Sequence, residues 1–276
     1  DRSVNSVRAA DEFTVDMDIS AALYFEDAGA ISTTSSDSRA VDLDVQGVYV
    51  YGEIGNVFVG GNDDSEFIAV RQNVEALVRP STSASGGEDP TILADGSLIE
   101  ISMGGVGVYA EESAYLQHVY VDSSATAKAY GRFDVSGDAI EIEFSGIEVD
   151  TADDGIEIKD STVDLAIVAG VYVEGVNSDA GDYGIYIYGS GIDADTNYNL
   201  AIDSVSSNID VTAVIDTYGE GYLNVTDDLI EVDLAGGYSG IHLYADESVH
   251  VTEAHSKVVV DASLQGDFYA DDQGVD

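Results

Sequence analysis

Apolar and polar residues alternate at period two along most of the chain. Phe13-Thr14-Val15-Asp16-Met17-Asp18-Ile19, Val41-Asp42-Leu43-Asp44-Val45 and Ile140-Glu141-Ile142 are typical runs. Val, Ile, Tyr and Thr dominate them, the residue types that suit a pleated surface with one buried face. Gly, Asp, Asn and Ser separate the runs, and proline occurs only at Pro80 and Pro90. Helical signals are almost absent. The pattern predicts an all-β protein.

The pattern also repeats. A small residue followed by two inward apolar positions recurs at Ala139-Ile140-Glu141-Ile142, Gly155-Ile156-Glu157-Ile158, Gly170-Val171-Tyr172-Val173 and Gly184-Ile185-Tyr186-Ile187, at steps of 16, 15 and 14 residues. A second short apolar pair follows most of these, as in Ile147-Glu148-Val149 and Val163-Asp164-Leu165. Strands this short, each with one apolar face, bury it best by stacking rung on rung about 4.8 Å apart. The expected fold is therefore a parallel β-helix (β-solenoid) over 97–276. An alternating-strand β region over 1–78 precedes it, and 79–96, rich in Pro, Ser and Gly, forms a linker or long loop. The rival is an antiparallel β-sandwich or pair of sandwiches, because Glu53-Ile54-Gly55-Asn56-Val57 reads as a two-residue hairpin turn. A membrane barrel is disfavoured by strands of about five residues, too short to span a bilayer.

Charge narrows the function. The 276 residues carry 54 Asp and Glu against 9 Lys and Arg, a formal net charge of -45, while 45% are hydrophobic. The apolar content supports a core, so this is not a disordered acidic tail. A surface this negative repels nucleic acid and anionic lipid, which argues against both as partners and against membrane insertion. With no Cys there is no disulfide, no cysteine nucleophile and no thiolate metal site. The chain opens Asp1-Arg2-Ser3, read as a mature extracellular form after removal of a signal peptide. No Lys or Arg lies between Lys159 and Lys257, so trypsin has no site there.

Two segments, Ser145-Gly-Ile-Glu-Val-Asp-Thr-Ala-Asp-Asp-Gly-Ile-Glu-Ile158 and Asp182-Tyr-Gly-Ile-Tyr-Ile-Tyr-Gly-Ser-Gly-Ile-Asp-Ala-Asp195, carry Gly-Ile-x-Ile and Ser-Gly-Ile units. The stretch they mark, roughly 100–260, resembles the passenger repeats of bacterial autotransporter-like, β-helical surface adhesins. The resemblance implies secretion, surface display, and adhesion or filament building.

Acidic pairs at expected corners are the candidate metal ligands: Asp153 and Asp154, Asp193 and Asp195, Asp227 and Asp228. Oxygen-rich turns of this kind suit Ca²⁺, which takes six to eight such ligands; no organic cofactor is expected. The same Asp153-Asp154 pair would serve a polysaccharide-cleaving β-helix enzyme. Arg132 and Lys159 are, however, the only basic residues between Lys128 and Lys257, so acidic sugar would find few partners. His250, Glu253 and His255, with His242 a rung away, read as exposed polar positions. Tyr49, Tyr109, Tyr120, Tyr172 and Tyr186 fall at outward positions, where they form stacking ladders or bind glycan rings. Two non-enzymatic readings follow. In one the chain is a subunit of a surface filament or sheath, its copies joined head to tail through β contacts, with Phe13, Val15, Met17 and Ile19 offered to a neighbour. In the other it is a glycan- or surface-binding adhesin region.

The carboxylate excess makes a direct prediction. Ca²⁺ or high salt should raise the melting temperature strongly by screening repulsion. The same melting point in a low-salt buffer with and without both chelator and added Ca²⁺ would refute it.

Overall fold

Alternation with β-branched residues at the inward positions produces strands, and every strand finds a parallel partner. The computed structural model describes residues 7–9, 13–25, 31–32, 39–53, 55–60, 67–80, 91–219, 221–234, 240–272 and 274–276. Among the described residues it is all-β, 79% strand with no helix, and its strands lie in three parallel sheets.

The chain visits the three sheets in a fixed cycle. The first circuit runs β1 (Val7–Ala9) and β2 (Phe13–Phe25) in the first sheet, β3 (Ile31–Ser32) in the second and β4 (Val41–Gly52) in the third. The second circuit is β5 (Val57–Val59), β6 (Ile68–Pro80), β7 (Thr91–Ala94) and β8 (Ile99–Ala110). The third is β9 (Ala114–Gln117), β10 (Val119–Tyr130), β11 (Arg132–Val135) and β12 (Ile140–Thr151). In the fourth the first-sheet strand is continuous: β13 (Ile156–Glu174), β14 (Asn177–Ala180) and β15 (Ile185–Thr196). The fifth follows with β16 (Asn199–Tyr218), β17 (Tyr222–Val225), β18 (Ile230–Leu234) and β19 (Ile241–Ala245), and the sixth with β20 (Ser248–Val251), β21 (Ala254–Gln265) and β22 (Asp267–Ala270).

The stacking step differs from the one expected. Ile140 lies against Ile185 and Thr151 against Thr196, partners 45 residues apart. Ile156 and Val171, by contrast, sit on the same strand, β13. The fifteen-residue repeat thus falls inside a circuit, on its first and third sheets, and three of its steps, from Ala139 to Gly184, make the one that stacks. The antiparallel alternative also fails among the described residues. Val57 of β5 pairs in parallel with Val7 and Ala114, and β4 pairs in parallel with β8, so the residues around Gly55-Asn56 make a corner between two sheets and not a hairpin. The sheets run through the expected boundaries at 78 and 97. Strand β4 pairs with β8 residue for residue, β2 with β6, and β7, inside the expected linker, pairs with β11. Residues 81–90 lie outside the described residues.

Stacked circuits put like on like. The inward column Val41, Ile99, Ile140, Ile185, Ile230 runs along the third sheet, and Ala21, Ala76, Ala127, Ala169, Ala213, Ala262 along the first. Ile99, Ile140, Ile185 and Ile230 are fully buried within one continuous core that extends from Val41 to Leu234. Each such side chain contributes about 1.5–3 kcal/mol by leaving water.

A glycine column bends the third sheet. A β-carbon on Gly47 would lie 2.4 Å from the Gly105 carbonyl oxygen, one on Gly105 2.3 Å from that of Gly146, and one on Gly146 2.3 Å from that of Gly191. The same atoms would strike the first sheet, since the Gly146 β-carbon would also come within 2.4 Å of Val163 Cγ1. Only glycine lets the bend of one circuit lie this close to the next. A second kind of bend interrupts the first sheet, where His118, Asp160 and Ser204 each adopt positive φ of 55°, 46° and 55°. The register Gln117–Lys159 and Lys159–Asp203 places these three residues one above another.

Gly146→Ala should therefore destabilise the protein by about 1–3 kcal/mol, the usual cost of forcing atoms into filled space. Gly274→Ala, whose β-carbon meets nothing nearer than Leu264 Cδ1 at 3.5 Å, should change stability far less. Urea melts of the two variants make the comparison, and equal losses would refute the account of the bend.

Candidate functional site

Outward residues stack into columns as the inward ones do, so every surface feature is drawn out along the strand-stacking direction. The columns sort the candidates into corner acids, aromatic ladders, a carboxylate-rich third sheet and a mixed-charge first sheet.

The corner acids do not converge. Asp153 and Asp154 are exposed in the corner after β12, where Thr151 donates to Thr196 at 2.8 Å and Thr196 to the Asp154 carbonyl at 2.7 Å. Asp193 and Asp195 belong to β15 and face Glu148 and Asp150 of β12. Asp227 and the buried Asp228 occupy the corner before β18. Among the described residues no three His, Asp or Glu side chains come together as a metal-holding group. Asp193 instead meets His242 Nδ1 at 3.0 Å, and His255 Nε2 lies 3.0 Å from Glu253. His118, which the sequence did not single out, is buried at the first-sheet bend beside Gln117.

Several of the tyrosines stack on another ring. Tyr109 stacks on Tyr51 with centroids 5.0 Å apart and planes at 12°, and Tyr172 on Tyr130 at 4.7 Å and 14°. The Arg79 guanidinium caps Tyr130 at 5.6 Å, and Phe58 stacks on Tyr115 at 4.9 Å. Each pair joins neighbouring circuits and is worth about 0.5–1.5 kcal/mol beyond area burial. Tyr186 lies between Tyr183 and Tyr188, at 4.9 and 4.8 Å. Tyr120 meets Phe67 edge-on at 6.2 Å. Tyr49 is different: its ring covers the site where a Gly107 side chain would stand, and it is 62% exposed.

Stacking forces acids against acids on the third sheet. Glu100 opposes Glu141, Glu148 opposes Asp193 and Asp150 opposes Asp195. Burial first, and then the facing carboxylate, pushes the carboxyls of Glu100, Glu148 and Asp150 above the usual range; Arg39, paired with Glu100, works against the rise there. The largest effect falls at the corner before β12. Asp138 is 6% exposed, its Oδ1 accepts the Tyr183 N–H at 2.9 Å, and Ser97, Glu141, Asp182 and Tyr186 surround it in a shallow cleft. Burial, reinforced by Glu141 and Asp182 and opposed by the Tyr183 N–H, raises its pKa to about 7. Sequence reasoning passed over Asp138 because the position is Ser97 one circuit earlier and Tyr183 one circuit later, and becomes acidic again only at Asp228.

The first sheet carries mixed charge. Asp16, Arg71, Asp122, Asp164, Asn208 and Lys257 form one exposed outward column, with Arg71 Nη1 3.3 Å from Asp16 and Asn208 Nδ2 donating to Asp164 at 2.7 Å. This sheet also ends in open strands. Among the described residues β21 pairs only with β16, and β2 only with β6. Val260 is 45% exposed, whereas Val211 beneath it is 0% exposed; Phe13 is 49% exposed against 1% for its partner Ile68. Val15, Met17 and Ile19 are half-buried on the inner face of β2, against the chain's own core. The strand expected to be offered to a neighbour is thus paired within its own sheet, with its far edge open.

Comparison with protein-family models, with curated proteins and with solved structures found no match.

Asp138 sets a pH dependence. Its folded-state pKa of about 7 exceeds the ordinary aspartate value of 3.8, so the folded state binds the proton more tightly and stability falls as pH rises between those two values. Asp138→Asn can keep the acceptor for Tyr183 without the charge. It should stabilise the protein at pH 8 by about 1–4 kcal/mol and leave it nearly unchanged at pH 4. Denaturant midpoints at the two pH values check this, and an equal effect at both would refute the buried-charge explanation.

Proposed function

We propose that the chain is a β-solenoid block of an extracellular structural assembly, a filament or sheath subunit whose copies join end to end. The observation that supports this reading most directly is the contrast between its ends and its sides. At each end of the first sheet an outermost strand keeps one backbone edge and an apolar inner face without a partner among the described residues. Such an edge is a template for another strand of the same kind. Along the sides, columns of Asp and Glu carry much of the net charge of -45 and oppose sideways association. Growth is directed to the tips, and contacts that repeat without closing make a fibre. Calcium and other cations act in this reading as counterions along the acid columns, which fits carboxylates spread out and not gathered.

The adhesin reading draws on Tyr49, whose ring is broadly exposed. The stacked tyrosines supply less, because rings 4.7–5.0 Å apart cover each other's faces, the surface a sugar ring would need. Polysaccharide cleavage gains no support from Asp153 and Asp154, which are exposed at a corner where, among the described residues, no basic side chain is bonded to either.

Negative-stain microscopy of the purified chain at micromolar concentration and moderate salt should show unbranched filaments one molecule wide. Aligned filaments should give a meridional reflection near 4.8 Å. Monodisperse short particles under all salt conditions would overturn the proposal, and retention of those particles on a glycan array would favour the adhesin reading.

A further inference from the structure

The outward column of the first sheet begins with a carboxylate and ends with an ammonium. Asp16 stands on β2 and Lys257 on β21, with Arg71, Asp122, Asp164 and Asn208 between them. Each interior cation lies beside an anion: Arg71 is flanked by Asp16 and Asp122. Lys257 has Asn208 on one side and no neighbouring strand on the other among the described residues. It is exposed, and it is the sole Lys or Arg between residues 160 and 276. A cation set on the open edge of a sheet this acidic is suited to an incoming carboxylate.

The inner face of the same strand has a shape preference as well. Its open apolar positions are Val258, Val260, Ala262 and Leu264, the last members of columns that start at Met17, Ile19, Ala21 and Leu23. The Ala21 to Ala262 column holds alanine in all six circuits, so that line of the interior has room for a methyl group and little more.

We propose that β21 receives β2 of a second copy of this chain in one register: Ala21 over Ala262, Leu23 over Leu264 and Asp16 over Lys257. This deepens the end-on reading above and rests on it. Two independent features select the register. A slip of one residue turns the apolar face of the incoming strand to solvent. A slip of two that brings Asp18 over Lys257 also brings Leu23 onto the alanine line, where the extra atoms must force their neighbours apart. In the proposed register both mismatches vanish, and the next circuit continues the interior columns as though the chain had not been interrupted. Lys257 is then the charge key of the joint.

Zero-length carbodiimide coupling of assembled material tests this. Equal amounts of ¹⁵N-labelled and unlabelled chain are assembled, coupled, digested and read by mass spectrometry. The expected product is an amide between Lys257 of one chain and Asp16 of another, carrying mixed isotopes. Lys257→Glu, at an exposed position, should raise the concentration needed for assembly by about tenfold or more, while Lys257→Arg should assemble like the parent; circular dichroism checks that both variants are folded. If filaments form but Lys257 couples to Asp18 or elsewhere, or if Lys257→Glu assembles like the parent, the register is wrong and the end-on reading survives. If the parent chain never assembles, both fall, and the open strands are then covered by something other than a second copy.

Discussion

The parallel backbone ladder governs this molecule. Each interior strand bonds residue for residue to strands one circuit earlier and later, so a side chain's neighbours are its own counterparts in adjacent circuits. A residue that packs well once packs well in every circuit, which is how isoleucine comes to lie on isoleucine along the third sheet and alanine on alanine along the first. The same constraint acts on charge. A carboxylate placed outward meets another carboxylate in the next circuit unless that position changes, and Glu148 facing Asp193 shows the cost. The acid-rich surface and the aliphatic interior are two results of one geometry.

The ladder also explains which surface features become pairs and which do not. Aromatic side chains gain from being repeated, so Tyr130 and Tyr172 stack directly, with Arg79 over the free face of Tyr130. Metal ligation needs side chains from different directions to converge on one point, and columns of like residues running along the stacking direction do not bring that about. The corner acids that looked like calcium ligands therefore stand apart. Stacking converts a chemical motif into a stripe.

Much of this was legible from the residues. The period-two alternation and the Val- and Ile-rich runs identified the strands, and the regular return of Gly-Ile-x-Ile pointed to stacked parallel strands. The step was misread because the motif recurs within a circuit: Ile140 of the third sheet and Ile156 of the first look alike in sequence and lie in different sheets, while Val171 shares a strand with Ile156. Comparing the glycines at 47, 105, 146 and 191 would have corrected it, since their steps follow whole circuits. Asp138 and Lys257 stayed hidden for the opposite reason. Neither recurs from one circuit to the next, Asp138 standing between Ser97 and Tyr183 and Lys257 following Asn208, so no periodic signal marks them.

The spacing of those glycines has a further consequence. From Gly105 to Gly146 the chain uses 41 residues and from Gly47 to Gly105 it uses 58, yet both steps advance the stack by one strand. The surplus falls between strands, ten residues separating β6 from β7 where one separates β10 from β11, and leaves the ladders in register. Contour length and axial rise are therefore uncoupled in this architecture. Segments can be spliced into a corner, or whole circuits duplicated, without disturbing the pitch, which gives such a chain an easy route to acquiring new surface loops on an unchanged shaft.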